Sequence, residues 1–316
     1  MILNVTCLLL AGTYNPSTIP AGYEPKFVDR TLHDSKRDRD VPIRVYLPKS
    51  TSPQPLVIFS HGLGGSRENN GYLGRHLASR GYVVLFVQHP GSDESVWKDT
   101  PMRDRMRAMQ AAANGQNLEL RVDDVHFVLD QMTSLNKTDS QFKARIDLNH
   151  VGMSGHSFGA MTSQAVGGQN YPMIGQKWTD SRIDAAVMYS PSSPGLDAAN
   201  SRAFSKVTIP WLLMTGTEDS SPIGGQTPES RTKVYPALPS GNKFEVVLFG
   251  AEHSAFSERG LPGDSRKRNP NHHKAILALT TAFWDAFLRN DPAAKSWLTG
   301  PSPRSIMEPK DTWKKK

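Results

Sequence analysis

A single cysteine, Cys7, stands among 316 residues, so no disulfide can close within the chain and the redox compartment is left open. No apolar run reaches the roughly 18 residues that a membrane-spanning helix needs, which excludes an integral helical segment of that kind. Internal repeats and low-complexity linkers are missing, which argues against a solenoid and for one domain. A single-sign charge field is nearly missing too. The net charge is +7, from 37 lysines and arginines against 30 acids, but the bases are interleaved with acids, as in Arg37-Asp38-Arg39-Asp40 and Arg103-Asp104-Arg105. Such runs are usually solvated faces. Two uncompensated clusters remain, Arg266-Lys267-Arg268 and Lys314-Lys315-Lys316. Neither carries interleaved aromatics or a nucleic-acid motif, so no nucleic-acid partner is expected. Met1 to Gly12 is apolar but has no basic lead-in and is shorter than a usual signal peptide. It reads as a truncated signal, a vestige or a disordered start, and localisation leans to the cytoplasm over export. The expected organisation is an N-terminal segment over 1–22, one domain over 23–300 and a basic tail over 301–316.

What is present centres on Gly155-His156-Ser157-Phe158-Gly159. A serine flanked two residues away on each side by glycine, after the short apolar run Val151-Gly152-Met153, has the form of a nucleophile elbow. There a strand turns sharply at the serine into a helix, and side chains at the two glycine positions would clash. Ala160, Met161, Ala165 and Val166 supply the apolar positions of the helix that should follow.

A serine hydroxyl is a weak nucleophile until a base takes its proton, so the elbow calls for a histidine and an acid elsewhere. Leu212-Leu213-Met214-Thr215-Gly216-Thr217-Glu218-Asp219 reads as a buried strand running into a turn, which puts Asp219 at the strand's C-terminal end. Phe244 to Gly250 reads as another, followed by Glu252-His253-Ser254. The order serine, acid, histidine is that of α/β-hydrolases. His253 alone among the ten histidines combines this order with a loop just past a strand. Glu218 is the second choice for the acid, being longer and one residue nearer the strand. His272 and His273, neighbours at the start of a helix, read as surface residues.

Acyl transfer also needs backbone N–H groups facing the developing oxyanion. One should come from Phe158, the residue after the nucleophile. The other should come from the loop after an earlier strand. Leu56-Val57-Ile58-Phe59-Ser60 followed by His61-Gly62-Leu63-Gly64-Gly65 has that form, with Leu63 as donor. A dinucleotide loop is excluded for this stretch, because its third glycine would fall at Arg67. No cofactor and no metal is called for.

Phe59-Ser60-His61-Gly62-Leu63-Gly64, Leu77-Ala78-Ser79-Arg80-Gly81-Tyr82-Val83-Val84 and the elbow together resemble the platelet-activating factor acetylhydrolase family, from about Tyr23 to Phe287. The segment Met214 to Gly224 is similar to bacterial members often labelled predicted dienelactone hydrolases. The resemblance implies an α/β-hydrolase fold and serine-dependent ester hydrolysis, with Ser157 as nucleophile, His253 as base, and Leu63 and Phe158 as oxyanion donors. Two departures limit it. The animal enzymes carry their acid after the strand following the elbow, and Ala185-Ala186-Val187-Met188-Tyr189-Ser190 has no carboxylate, which leaves the role to Asp219. Dienelactone hydrolases use a cysteine nucleophile, and Cys7 is the only cysteine.

The remaining pattern fits an α/β fold with a mostly parallel central sheet, helices on both faces and a small cap segment. Phe27 to Leu32 and Ile43 to Leu47 suggest an opening antiparallel pair. Leu118, Val122, Val125, Leu129 and Met132 mark one face of a long helix, and Ile276, Leu279, Phe283 and Phe287 a closing one. Met102, Met106 and Met109, beside Trp97, read first as a surface helix packed on the body and second as a cap, since methionine adapts to irregular apolar ligands. Ser192 to Ala199 is a second rim candidate. The expected function is a serine carboxylic-ester hydrolase for short acyl esters, with acetylated phospholipids among the candidate substrates. A small-molecule or lipid ester is thus the expected partner, and oligomeric state stays open. Polyester or cutin-type hydrolysis, which would need a shallow open groove, and a non-catalytic binding protein are the rivals.

Overall fold

Leu56 and Ile58 enter one apolar core while Val57 and Phe59 enter another, and Val83, Leu85 and Val87 alternate in the same way with Val84 and Phe86. Strands apolar on both faces must be covered on both faces, which is the condition for a parallel sheet between helical layers. The computed structural model, which describes residues 14–261 and 263–316, builds that sheet from β1 (Phe27–Asp34), β2 (Arg39–Tyr46), β3 (Gln54–Ser60), β4 (Val83–Val87), β5 (Ile146–His156), β6 (Ala185–Tyr189), β7 (Trp211–Glu218), β8 (Lys243–Glu252) and β9 (Thr312–Lys315). Their order across the sheet is β1-β2-β4-β3-β5-β6-β7-β8-β9. β1 and β2 pair antiparallel, β2 joins β4 antiparallel, and β4 through β8 run parallel. Residues 1–13 of the expected N-terminal segment lie outside the described residues.

The helices are α1 (Gly71–Ser79), α2 (Ser95–Lys98), α3 (Met102–Ala112), α4 (Gly115–Thr138), α5 (Phe158–Val166), α6 (Asp197–Phe204), α7 (Pro228–Thr232), α8 (Val234–Ala237), α9 (Pro270–Leu288) and α10 (Pro292–Thr299). α4 starts where the Asn114 side chain accepts from the Asn117 amide, satisfying one orphan donor of its first turn. Its stripe of Leu118, Val122, Val125, Leu129 and Met132 is buried against one face of the sheet, with α5 and α6. α1, α9 and α10 cover the other face.

Two expectations need correction. The basic tail over 301–316 is part of the fold: β9 pairs antiparallel with β8, Trp313 stacks on Phe244 with ring centroids 5.6 Å apart, and Lys314 bonds Glu245 at 2.7 Å. The lysines serve an edge strand, where charge deters further pairing, and the alternation turns Trp313 onto the core. His272 and His273 are not surface residues either. His272 is buried and bonds the Phe249 carbonyl at 3.0 Å, and half-buried His273 stacks on Tyr72 at 4.2 Å.

Candidate active site

β5 ends at His156 and α5 begins at Phe158, so Ser157 alone makes the turn, with φ 58° and ψ −115°. A side-chain-bearing residue held there stores on the order of 1–3 kcal/mol of strain. Neighbouring bonds offset it. The Ser157 amide donates to the Tyr189 carbonyl at 2.9 Å, and its carbonyl accepts from Ala160 at 2.9 Å. The flanking glycines are required by close approach. A Cβ on Gly155 would lie 2.2 Å from the Gly159 carbonyl oxygen, and one on Gly159 would lie 1.9 Å from that of Ser60. α5 can therefore pack against the end of β3 only with glycine at both places.

His253 opens a 3₁₀ turn, His253–Phe256, directly after β8. Ser157 Oγ lies 2.9 Å from its Nε2, and its Nδ1 lies 2.6 Å from Asp219 Oδ1. The carboxylate fixes the tautomer: Nδ1 donates to Asp219, which leaves Nε2 as acceptor from the serine hydroxyl. Asp219 is fully buried and also accepts from Thr215 Oγ1 at 2.8 Å. Burial would raise its carboxyl, but the Arg231 guanidinium and the bond from His253 outweigh that and hold it well below the usual carboxylate range. Glu218 turns the other way, to Arg266 at 2.9 Å. His156 rests its ring 4.7 Å from that of His253 and bonds the His253 carbonyl at 3.0 Å. Burial pushes it down to about 3, so it stays neutral.

Leu63 and Phe158 face the same cavity as Ser157 and His253. Neither amide donates to a protein acceptor among the described residues. The parallel register sets Ser60 opposite Gly155, and a Cβ on Gly62 would meet the Cβ of Ser157 at 3.5 Å. The loop thus lies directly over the elbow. Beneath it runs a buried polar network. Arg121, fully buried on α4, bonds Ser60 Oγ at 3.2 Å, Ser92 Oγ at 2.9 Å, Thr162 Oγ1 at 3.1 Å and the His61 carbonyl. Its guanidinium also sits 4.7 Å from the Phe158 ring centroid. His89 links Ser60 Oγ, at 2.9 Å, to Asp124, at 3.0 Å. Burial would raise the Asp124 carboxyl, but bonds from His89 and Arg39 hold it at about 2. Through these contacts one arginine touches the chain on both sides of the elbow.

The cavity above Ser157 has a volume of about 1560 Å³. Trp97, Met106 and Met109 of the 89–116 segment form part of its wall, and Ser192, Ser193 and Pro194 part of its rim. Trp97 Nε1 bonds the Gly64 carbonyl at 2.7 Å, which ties this wall to the loop carrying Leu63. Among the described residues no group of three or more His, Cys, Asp or Glu is placed to hold a metal ion, and no helix is long and apolar enough to cross a membrane.

Arg231, Arg121 and the His89–Asp124 pair were not anticipated from the sequence. Arg121 carried one signal, since it borders the apolar stripe of α4, where charge is out of place, whereas Asp124 lies off that stripe. Arg231, in the polar stretch Pro228–Thr232, carried none.

A parallel sheet between helical layers, with a strained serine at a strand-to-helix turn, defines the α/β-hydrolase class. The family model described as platelet-activating factor acetylhydrolase, isoform II, matches residues 41–128, a stretch that includes the Leu63 loop and stops short of Ser157. The platelet-activating factor acetylhydrolase of Cavia porcellus is 28% identical over 149 residues, 39% of this chain and 34% of that protein. That of Bos taurus is 30% identical over 135 residues, 34% of this chain and 30% of that protein. Cutinase 1 of Thermobifida cellulosilytica is 24% identical over 263 residues, 82% of this chain and 78% of that protein. The chain thus spans about a third of the two acetylhydrolases and most of the cutinase. These likenesses support a platelet-activating factor acetylhydrolase-like α/β-hydrolase family for the chain.

Proposed function

We propose that this chain is a serine carboxylic-ester hydrolase working through an acyl-enzyme, with Ser157 as nucleophile, His253 as general base and Asp219 as the acid that orients it. The observation that carries this reading is the continuous path from Ser157 Oγ through His253 to Asp219 at the floor of a large cavity. Ser157 Oγ attacks the ester carbonyl as Nε2 of His253 takes its proton, and the oxyanion accepts from the Leu63 and Phe158 amides. Collapse breaks the bond to the alcohol, which leaves with the proton from His253. Water then attacks the acyl-enzyme by the same steps in reverse, which releases the acid and restores the serine.

An acetyl group fills little of about 1560 Å³, a volume above the roughly 300–1,000 Å³ of ordinary small-molecule pockets. A short acyl group therefore fits best on a large alcohol, such as a lipid, whose apolar portion would lie along Trp97, Met106 and Met109. Polyester hydrolysis is the second reading, favoured by the cutinase likeness over 82% of the chain. A panel of p-nitrophenyl esters from acetate to palmitate, an acetylated phospholipid and a polyester film separates them. The first reading predicts fastest turnover on acetate and the phospholipid, whereas soluble products from the film as the main activity would favour the second.

A further inference from the structure

Arg231 is 1% exposed, and its guanidinium reaches the exits of two strands and the His253–Asp219 pair. Nε bonds the Asp219 carbonyl at 2.8 Å and lies 3.1 Å from Asp219 Oδ1. Nη1 bonds the carbonyls of Ser190 and Pro191 at 2.9 and 3.0 Å, just beyond β6, where Ser190 has φ 61°. Nη2 lies 3.3 Å from Nδ1 of His253. Because Nδ1 already carries the proton donated to Asp219, that last contact sets two N–H groups against each other. It is repulsive, and more so when the ring is an imidazolium.

We propose that Arg231 is a positioning residue with a second, electrostatic effect: it clamps Asp219 behind His253 and offsets the pull of that carboxylate on the imidazolium, so acylation persists to lower pH than Asp219 alone would set. The inference rests on the reading of Ser157, His253 and Asp219 given above. A buried carboxylate hydrogen-bonded to a histidine favours the charged ring, and a guanidinium on the same oxygen opposes it. The fork bonds to Ser190 and Pro191 leave the guanidinium no freedom to swing away.

The other charged or titratable groups around His253 do not account for such an effect. His156, at the end of β5, is neutral. Glu218, at the end of β7, pairs with Arg266, and Glu252, at the end of β8, accepts from the amides of Ser265 and Arg266. On α9, His272 bonds the Phe249 carbonyl, and His273 lies against Tyr72 and Ser257. None of these contacts involves Arg231.

The test is the pH dependence of Ser157 acylation by a fluorophosphonate, followed as the second-order labelling rate, with folding checked by circular dichroism. Arg231→Gln removes the charge and should move the acid-side midpoint up by about one pH unit. Arg231→Lys keeps a charge without the planar fork, so its midpoint should stay near the wild-type value while the plateau rate falls severalfold. If Arg231→Gln does not fold, Arg231→Lys, which keeps a charge beside Asp219, carries the test, and an unchanged plateau rate overturns the clamp. An unchanged or lowered midpoint in Arg231→Gln overturns the inference. Failure of wild-type Ser157 to label at any pH would instead overturn the reading on which it rests.

Discussion

Asp219 Oδ1 lies 2.6 Å from Nδ1 of His253. Glu218, one residue earlier, is exposed and engages Arg266 instead. The β7–β8 register shifts between Gly216 and Glu218, and two adjacent carboxylates end on opposite sides of the strand exit. Asp219→Asn should lower kcat by about 10⁴-fold, because the ring loses its oriented tautomer. Glu218→Gln should cost less than about tenfold, as expected for an exposed ion pair. Steady-state kinetics of the two variants on one p-nitrophenyl ester decide it, and the reverse ranking would refute the assignment of the acid.

Gly159→Ala should destabilise the fold and remove activity together. The added methyl meets backbone, the Ser60 carbonyl at 1.9 Å, and backbone cannot step aside without parting β3 from α5. A loss of about 3 kcal/mol or more is expected, read as a lower thermal midpoint. An unchanged melt with full turnover would show that the elbow is looser than described.

Acid should weaken the fold before it titrates the buried carboxylates. Burial lowers His76 and His89 to about 4 and His156 to about 3, and holds His61 well below its ordinary range. In the unfolded chain these rings take up protons near pH 6.5, so between about pH 6.5 and 4 the unfolded state binds more protons. Stability is then complete above about pH 6.5 and lost as pH falls, with a slope of about 1.4 kcal/mol per pH unit for each fully shifted ring. Urea midpoints should match at pH 7 and 8 and be clearly lower at pH 5. Equal midpoints at pH 5 and 7 would contradict the burial of these rings.

Met106 lines the cavity and is 50% exposed, so a larger side chain there intrudes on ligand rather than on the core. Met106→Trp should lower kcat/KM on the palmitate ester by about tenfold relative to acetate, the scale on which apolar pockets discriminate chain length. An equal loss on both esters would show that this wall does not meet the acyl or alcohol chain.

Much of the sheet was legible because strands buried on both faces appear as unbroken apolar runs, as in Leu56 to Phe59 and Leu212 to Met214. The chain order of Ser157, Asp219 and His253 named side chains that the fold brings within hydrogen-bond distance. β9 was hidden because an edge strand carries its signal in a single inward residue, Trp313, among lysines. Arg231 was hidden for a different reason. A buried guanidinium is defined by partners 12 to 41 residues away, Asp219 and Ser190 among them, and no local pattern records contacts of that span.

The most direct measurement is intact-mass and peptide-level analysis after treatment with a fluorophosphonate, alongside the Ser157→Ala variant. One adduct on Ser157, loss of esterase activity in step with labelling, and a folded Ser157→Ala protein with neither label nor turnover are the predicted results. Labelling at another residue, or Ser157→Ala retaining more than a few per cent of turnover, would contradict the serine-hydrolase assignment.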